Sequence, residues 1–441
     1  MKVSNWGKYP VAEAEVRSFS TVREALAETK DWEDYIPRGL GRCYGDSALN
    51  ERILSTTNYD RFLSFNAETG IITCQAGISF EEIIKVVVPA GWFLPVTPGT
   101  KYITLGGAIA ADVHGKNHHS EGSFSRHLHA LELMAPDGTI YKCSREENAD
   151  IFWATCGGMG LTGVILNATF QLKSIETSYI VEDAIRVRNI HELFPLFEES
   201  LRYTYSVAWI DCLAKGNDLG RGILLNGEHA TLEDLETESQ KEKPLFVAGE
   251  GKLSLPDLFP SFTINPLTTK AFNQVFYAKG NKDNHRHITD YDTYFYPLDG
   301  VLHWNRVYGK KGFAQYQFAI PPEGAYEALV KILEMISERQ MPSFLTVLKY
   351  FGEQEGMMSF PMKGYTLALD FPITGRLFAF LDELDQVVLD YGGRLYLTKD
   401  ARMKSPMFTK GYPRLEEFLE IKARLDKGKV MQSMQSKRLG L

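Results

Sequence analysis

The chain has 441 residues, 44% of them hydrophobic and 24% charged, and a formal net charge of -8 at pH 7. At about 100 to 200 residues per domain it is too long for one typical core, so two or three domains are expected. The composition excludes a disordered chain, and an acidic balance with no dense Lys/Arg run lacks the signature of a nucleic-acid binder. In chain order, the N-terminal MKVSNWGKYPVAEAEVRS has no apolar core, so no secretory signal is expected. PRGLGRCYGDSALN at 37–50 places three glycines within seven residues. Bare backbone of that kind lets main-chain N–H groups approach a phosphate. Neither a P-loop nor G-x-G-x-x-G is present, and an ordinary tight loop is an equal alternative on this segment alone.

GIITCQAG at 70–77 reads as a strand, and Ser79 with Glu82 forms a capping box that starts a helix through Ile83, Ile84 and Val87, stopping near Pro89. IIKVVVPAGWFLPV at 83–96 is the longest apolar stretch; Lys85 and two prolines interrupt it and it is too short to span a bilayer. A soluble, cytoplasmic protein is expected, with peripheral contact to the inner membrane left open. A second glycine cluster, PVTPGTKYITLGGAIAADVHGKNHH, occupies 95–119. His114 and His118 have helical i,i+4 spacing, but no H-E-x-x-H glutamate, cysteine or carboxylate joins them, so no metal is assigned. His114 reads better as a hydrogen-bonding group beside a cofactor ring, and His118 and His119 as packed structural histidines.

LHALELMAPDGTIYKCS at 128–144 is two strands about a Pro136-Asp137-Gly138 turn. FWATCGGMGLTGVI at 152–165 carries a third glycine cluster into a strand over 163–172. Three such clusters in one α+β region point to a large, extended cofactor. Beyond about 176 come strands in AQYQFAIP, SFLTVLKYFG and YTLALDFPI, and helices over 323–340 and 375–393, giving a second sheet covered by helices. The stretch 241–283 reads as a long functional or mobile loop. Cys43, Cys74, Cys143, Cys156 and Cys212 are odd in number and widely spaced, which favours free thiols over a disulfide framework.

The strings RGLGRCYGD, PGTKYITLGGAIAADVHGKNHH and FWATCGGMGLTGVI resemble the FAD-binding half of the vanillyl-alcohol-oxidase type flavoenzymes. NWGKYP, RYTYSVAWID, FYPLDG, WNRVYG, GFAQYQFAIP, SFLTVLKYFG, GGRLYLTKDAR and YPRLEEF extend the resemblance end to end, toward the decaprenylphosphoryl-ribose oxidases of that superfamily. The resemblance implies an α+β fold: a two-part FAD-binding domain, residues 1–175 with a return at 406–441, and a substrate domain of sheet plus helices at 176–405. It implies FAD, held non-covalently, because Cys43 and Tyr44 stand where other members of the superfamily attach it through a histidine.

By the same resemblance the first loop, Arg38, Gly39, Leu40, Gly41, Arg42, Cys43, Tyr44, Gly45, Asp46 and Ser47, wraps the pyrophosphate. Gly99, Thr104, Leu105, Gly106 and Gly107 continue that wall; Ala111, Asp112, Val113 and His114 approach the flavin ring, with Ile165 at the nucleotide end and Tyr396 returning to the flavin. Tyr296, Gln315, Gln317, Lys349 and Thr366 line the substrate side, and Lys399, His114 and Tyr44 are the catalytic candidates. Thr366 and Ala368 replace the amide and thiol that mycobacterial members carry there. The implied reaction oxidises the 2′-hydroxyl of a polyprenyl-phosphate-linked ribofuranose to the 2′-keto sugar, and an NAD(P)H-dependent reductase as partner completes epimerisation. An oxidase of soluble sugars, alditols or aldonolactones, and a flavin-binding partner without turnover, remain open alternatives.

Overall fold

A small parallel sheet seats the first glycine loop. Its central strand β3 (Arg52–Ser55) pairs with β1 (Glu15–Ser18) on one side and β2 (Ile36–Arg38) on the other, so the chain leaves β2 directly into Gly39. The computed structural model describes residues 1–249, 253–280, 285–343 and 345–441.

An antiparallel five-stranded sheet follows, built from β4 (Phe62–Asn66), β5 (Ile71–Gln75), β6 (Leu128–Met134), β7 (Ile140–Ser144) and β8 (Val164–Gln171), in the order β7-β6-β8-β5-β4. Alternation along β5 and β8 sends Ile72, Cys74, Ala168 and Phe170 into the core. Between β5 and β6 lie α1 (Phe80–Val87) and α2 (Leu105–Ala110). Helix α1 starts at the expected box: Ser79 Oγ accepts from the Glu82 N–H at 3.1 Å, and Glu82 accepts from the Ser79 N–H at 2.9 Å. Helix α2 starts at Thr104, whose Oγ1 accepts from the Gly107 N–H at 3.1 Å.

The second sheet has eight strands: β9 (Tyr179–Val187), β10 (Tyr205–Ile210), β11 (Gly222–His229), β12 (His285–Asp290), β13 (Phe313–Ile320), β14 (Thr346–Phe351), β15 (Gly364–Pro372) and β16 (Arg394–Leu395). The order is β12-β9-β11-β10-β14-β15-β13-β16, with every neighbouring pair antiparallel.

The stretch 241–283 is not a loop throughout. It contains α3 (Pro266–Lys279), capped by Asn265, whose Oδ1 accepts from the Leu267 and Thr268 N–H groups. The usual inward apolar stripe that announces a helix is missing here, because α3 buries Thr269 and Asn273 instead. Residues 250–252 and 281–283 of that stretch lie outside the described residues. Helices α4 (Ala325–Glu338) and α5 (Leu377–Asp390) fall where the apolar periodicity places them. They cover one face of the eight-stranded sheet, where Tyr316 O–H donates to Asp385 of α5 at 3.0 Å.

The last segment returns to the first loop. Tyr35 and Gln432 exchange backbone bonds with that segment, Tyr35 N–H to Val430 O at 2.8 Å and Gln432 N–H to Tyr35 O at 3.0 Å. Arg438 holds Asp46 through two bonds, at 2.7 and 3.1 Å.

Candidate active site

Between the two sheets lies a cavity of about 430 Å³, within the size range of cofactor and ligand pockets. One wall is main chain. Gly39, Leu40, Gly41, Arg42 and Cys43 line it, and among the described residues none of their five amides donates to a protein acceptor. A run of unspent N–H groups in a cavity wall suits a phosphate group. The glycines are needed for close approach: a Cβ at Gly39 would lie 2.2 Å from Thr104 Oγ1, and Gly41 has φ +64°. Gly99, Thr104, Gly106 and Gly107 extend this wall; a Cβ at Gly99 would meet nothing within 4 Å, so the space beside it is open. The side chains of the two arginines are committed to the protein. Arg38 bonds Asn5 and the Ser4 carbonyl, and the Arg42 guanidinium sits 4.0 Å from the centroid of the Trp6 ring.

The opposite wall is side chain, drawn from alternate positions of adjacent strands of the eight-stranded sheet. The register sets Gln315 opposite Asp370, Gln317 opposite Ala368, and Lys349 opposite Thr366. It then carries the surface sideways, through Val347 and Trp209, to Val207 and Leu225. Polar groups therefore cluster at one end of the floor, and Val207, Trp209, Leu225, Leu345, Val347 and Phe276 make an apolar track at the other.

At the polar end His114, Tyr44, Tyr396 and Lys399 also line the cavity, with Ala111, Val113, Ser47 and Ile165 further along it. Gln317 Nε2 lies 3.1 Å from His114 Nε2. With the amide donating, the ring proton sits on Nδ1, a buried donor with no partner among the described residues. Burial, reinforced by the like charge of Lys349, holds this ring well below the usual histidine range, so it is neutral. Tyr396 O–H donates to the Ala111 carbonyl at 3.0 Å and pins the loop that carries His114.

The Lys399 ammonium lies 3.8 Å from the centroid of the Tyr44 ring. Behind it is Asp370, wholly buried, with Oδ1 accepting from Gln315 Nε2 at 2.5 Å and Oδ2 unpartnered among the described residues. Desolvation raises the Asp370 carboxyl and lowers the Lys399 ammonium, while their mutual attraction opposes both shifts. Lys349 is lowered to about 8 by burial alone.

Five of the sequence-derived residues stand off the cavity. Gly45 packs on the Asp400 carbonyl, and Asp46 is spent on Arg438. Leu105 is core, and Tyr296 lies behind the wall, its hydroxyl 2.6 Å from Thr97 Oγ1. Asp112, at φ +40°, accepts from the Ser125 N–H, Gln354 and Ser359. It holds the loop before His114 rather than facing a ligand. Cys43 lines the cavity and is partly exposed. His118 and His119 are held by Ser123, Gly352 and the Tyr203 carbonyl.

The strings did not single out Lys116, Trp209 or Asp370. Lys116 lines the cavity, donates to the Tyr294 carbonyl at 2.6 Å, and is lowered by burial to about 7. Its signal was present in HGKNHH.

The FAD binding domain family model matches residues 10–144, which contain the whole main-chain wall. Decaprenylphosphoryl-beta-D-ribose oxidase of Mycolicibacterium smegmatis is 37% identical over 451 aligned positions, covering 100% of this chain and 97% of that protein. The chain belongs to the decaprenylphosphoryl-ribose oxidase family. An uncharacterised Streptomyces coelicolor protein is 35% identical over 82% of this chain and 100% of its own length. In fold, the chain is similar to Physcomitrella patens BBE-like 1, with a TM-score of 0.66 at 13% identity over 95% of this chain and 89% of the other. This member of the family is thus an α+β FAD-dependent oxidoreductase, and the unspent amides of 39–43 and the orphaned His114 Nδ1 fit that cofactor.

Proposed function

We propose that this enzyme oxidises the 2′-hydroxyl of a polyprenyl-phosphate-linked ribofuranose to the 2′-keto sugar. The observation that carries the reading is the two-part floor: the polar side chains of Gln315, Gln317, Lys349 and Lys399 at one end, and the Val207–Trp209–Leu225 track at the other, in one cavity. A soluble sugar would leave that track without a partner. FAD, when bound, supplies the hydride acceptor.

The chain's own groups do the rest. Gln315 and Gln317 orient sugar hydroxyls, and the Lys349 ammonium meets the phosphate. Lys399 lines the polar end of the cavity, and burial lowers its ammonium, so that in its neutral form it accepts the proton leaving the 2′-hydroxyl and becomes cationic. That charge offsets the negative charge that hydride acceptance creates. FAD is held without a covalent bond, and residues 1–175 with 406–441 form its domain around the substrate domain 176–405. The 2′-ketone needs a separate NAD(P)H-dependent reductase to complete epimerisation.

Two measurements test this. Anaerobic incubation with polyprenylphosphoryl ribose should bleach the flavin and give a product two hydrogens lighter by mass spectrometry; bleaching by free sugars alone would overturn the substrate. Acid precipitation should leave FAD in the supernatant, whereas flavin remaining with the polypeptide would overturn non-covalent binding.

A further inference from the structure

Helix α3 is turned inside out. Its inward positions are Thr269 and Asn273, the latter donating from Nδ2 to Asp211 Oδ1 at 2.6 Å. Its outward face carries Leu267, 78% exposed, Val275, 55% exposed, and the exposed rings of Phe272 and Phe276. A helix on the surface of a globular protein ordinarily shows the opposite arrangement. The segment leading into it adds Leu258 at 84% and Phe262 at 75% exposure. Single exposed apolar residues are common, but six within nineteen positions form a patch of the kind that marks an interaction site.

The patch is continuous with the substrate cavity. Phe276 stacks on Phe272 at 5.7 Å on the outer face, and its ring lies 4.7 Å from that of Trp209, with which it lines the apolar track. Cations border it: Lys279 ends the helix, and Lys310 and Lys311 are exposed on a loop held to the patch by a Lys311 N–H to Ser261 Oγ bond of 3.4 Å. On a chain of net charge -8, these cations are a local feature.

We propose that α3 and residues 258–262 dock into the surface of a lipid bilayer, with the apolar side chains among the acyl chains and the lysines at anionic headgroups. The proposal rests on the lipid-linked substrate reading, because a polyprenyl chain resides in a bilayer and Phe276 belongs both to the apolar track and to the exposed patch. Docking there lets the substrate present its headgroup to the cavity without its lipid crossing water. A partner protein or a second copy of the chain would use the same apolar face, but neither accounts for its continuity with the cavity.

The test uses the full-length, FAD-loaded enzyme and vesicles of phosphatidylcholine with phosphatidylglycerol. The parent should co-sediment with vesicles, and a Leu258→Asp/Phe262→Asp/Leu267→Asp variant, altered only at exposed positions outside the cavity, should partition roughly tenfold less or weaker still. The variant should keep the parent's kcat on a short-chain, water-soluble polyprenylphosphoryl ribose and lose activity only on substrate embedded in vesicles. Failure of the parent to bind vesicles, or unchanged binding by the variant, overturns the proposal. So does parent protein that dimerises, or binds a purified reductase, through these three residues while ignoring vesicles. Absence of turnover on both substrates, with vesicle binding intact, would instead remove the substrate reading and leave the docking surface standing.

Discussion

The two walls of the cavity are built on opposite principles. The wall at 39–43 and 99–107 presents backbone, and its character lies in what is missing: no Cβ at Gly39, Gly41 or Gly99, and, among the described residues, no internal acceptor for the five amides of 39–43. The wall on β13, β14 and β15 presents side chains two residues apart on adjacent strands, so each position can change without disturbing the backbone. On the proposed assignment, cofactor recognition would be tied to the path of the chain, and substrate recognition to a replaceable set of side chains.

If that division holds, lesions on the two walls should separate cleanly. The largest effect is expected at Lys399→Ala, which should retain FAD yet slow flavin bleaching by roughly a hundred- to thousandfold, about 2.7 to 4 kcal/mol. Stopped-flow at saturating substrate measures it, and a rate within a few fold of the parent would take Lys399 out of the chemistry. Next is Gly99→Val. The added side chain meets open space rather than protein. The fold should therefore survive, while FAD affinity falls by an overpacking cost of about 1 to 3 kcal/mol, read by fluorescence titration of the apoprotein. Unchanged affinity would show that this stretch of wall does not face the cofactor.

The smallest effect sharpens the second wall. Lys349, lowered by burial to about 8, is an ammonium below that pH and neutral above it. Binding of a phosphate-bearing substrate should be strongest below about pH 8 and weaken by up to about tenfold per pH unit above it, because the anion selects the charged form. A phosphate-free ribofuranoside should show no such loss through this lysine. Equal pH dependence for both ligands would place the phosphate elsewhere.

The difference between the walls also decides what could be read from the sequence. Glycine clusters announce backbone recognition in one dimension, so the main-chain wall at 39–43 was legible, as were the Ser79–Glu82 box and the hairpin at 136–138. Gln315 and Gln317 were named through the resemblance carried by GFAQYQFAIP, and both line the cavity. Trp209 in the floor and Asp370 behind it were not, because their placement depends on strand register across the sheet. Gly45, Asp46, Leu105, Asp112 and Tyr296 were misplaced for a related reason: a contiguous string does not reveal which of its side chains turn inward to brace the wall. Helix α3 escaped notice because its periodicity is inverted, and a reading that assumes apolar residues face the core has no category for it.

The bracing of the first loop has a consequence for how the enzyme is made. Asp46 is held by Arg438, 392 residues further along the chain, and the Tyr44 N–H donates to the carbonyl of Thr398. The loop at 39–46 is therefore synthesised long before the residues that support it. Closing contacts that distant is entropically slow, so a nascent or truncated chain ending before 398 carries the glycine motif without the clamp that shapes it. Flavin capture by the shaped loop is therefore expected only once the segment carrying Thr398 and Arg438 has been made and joined to it.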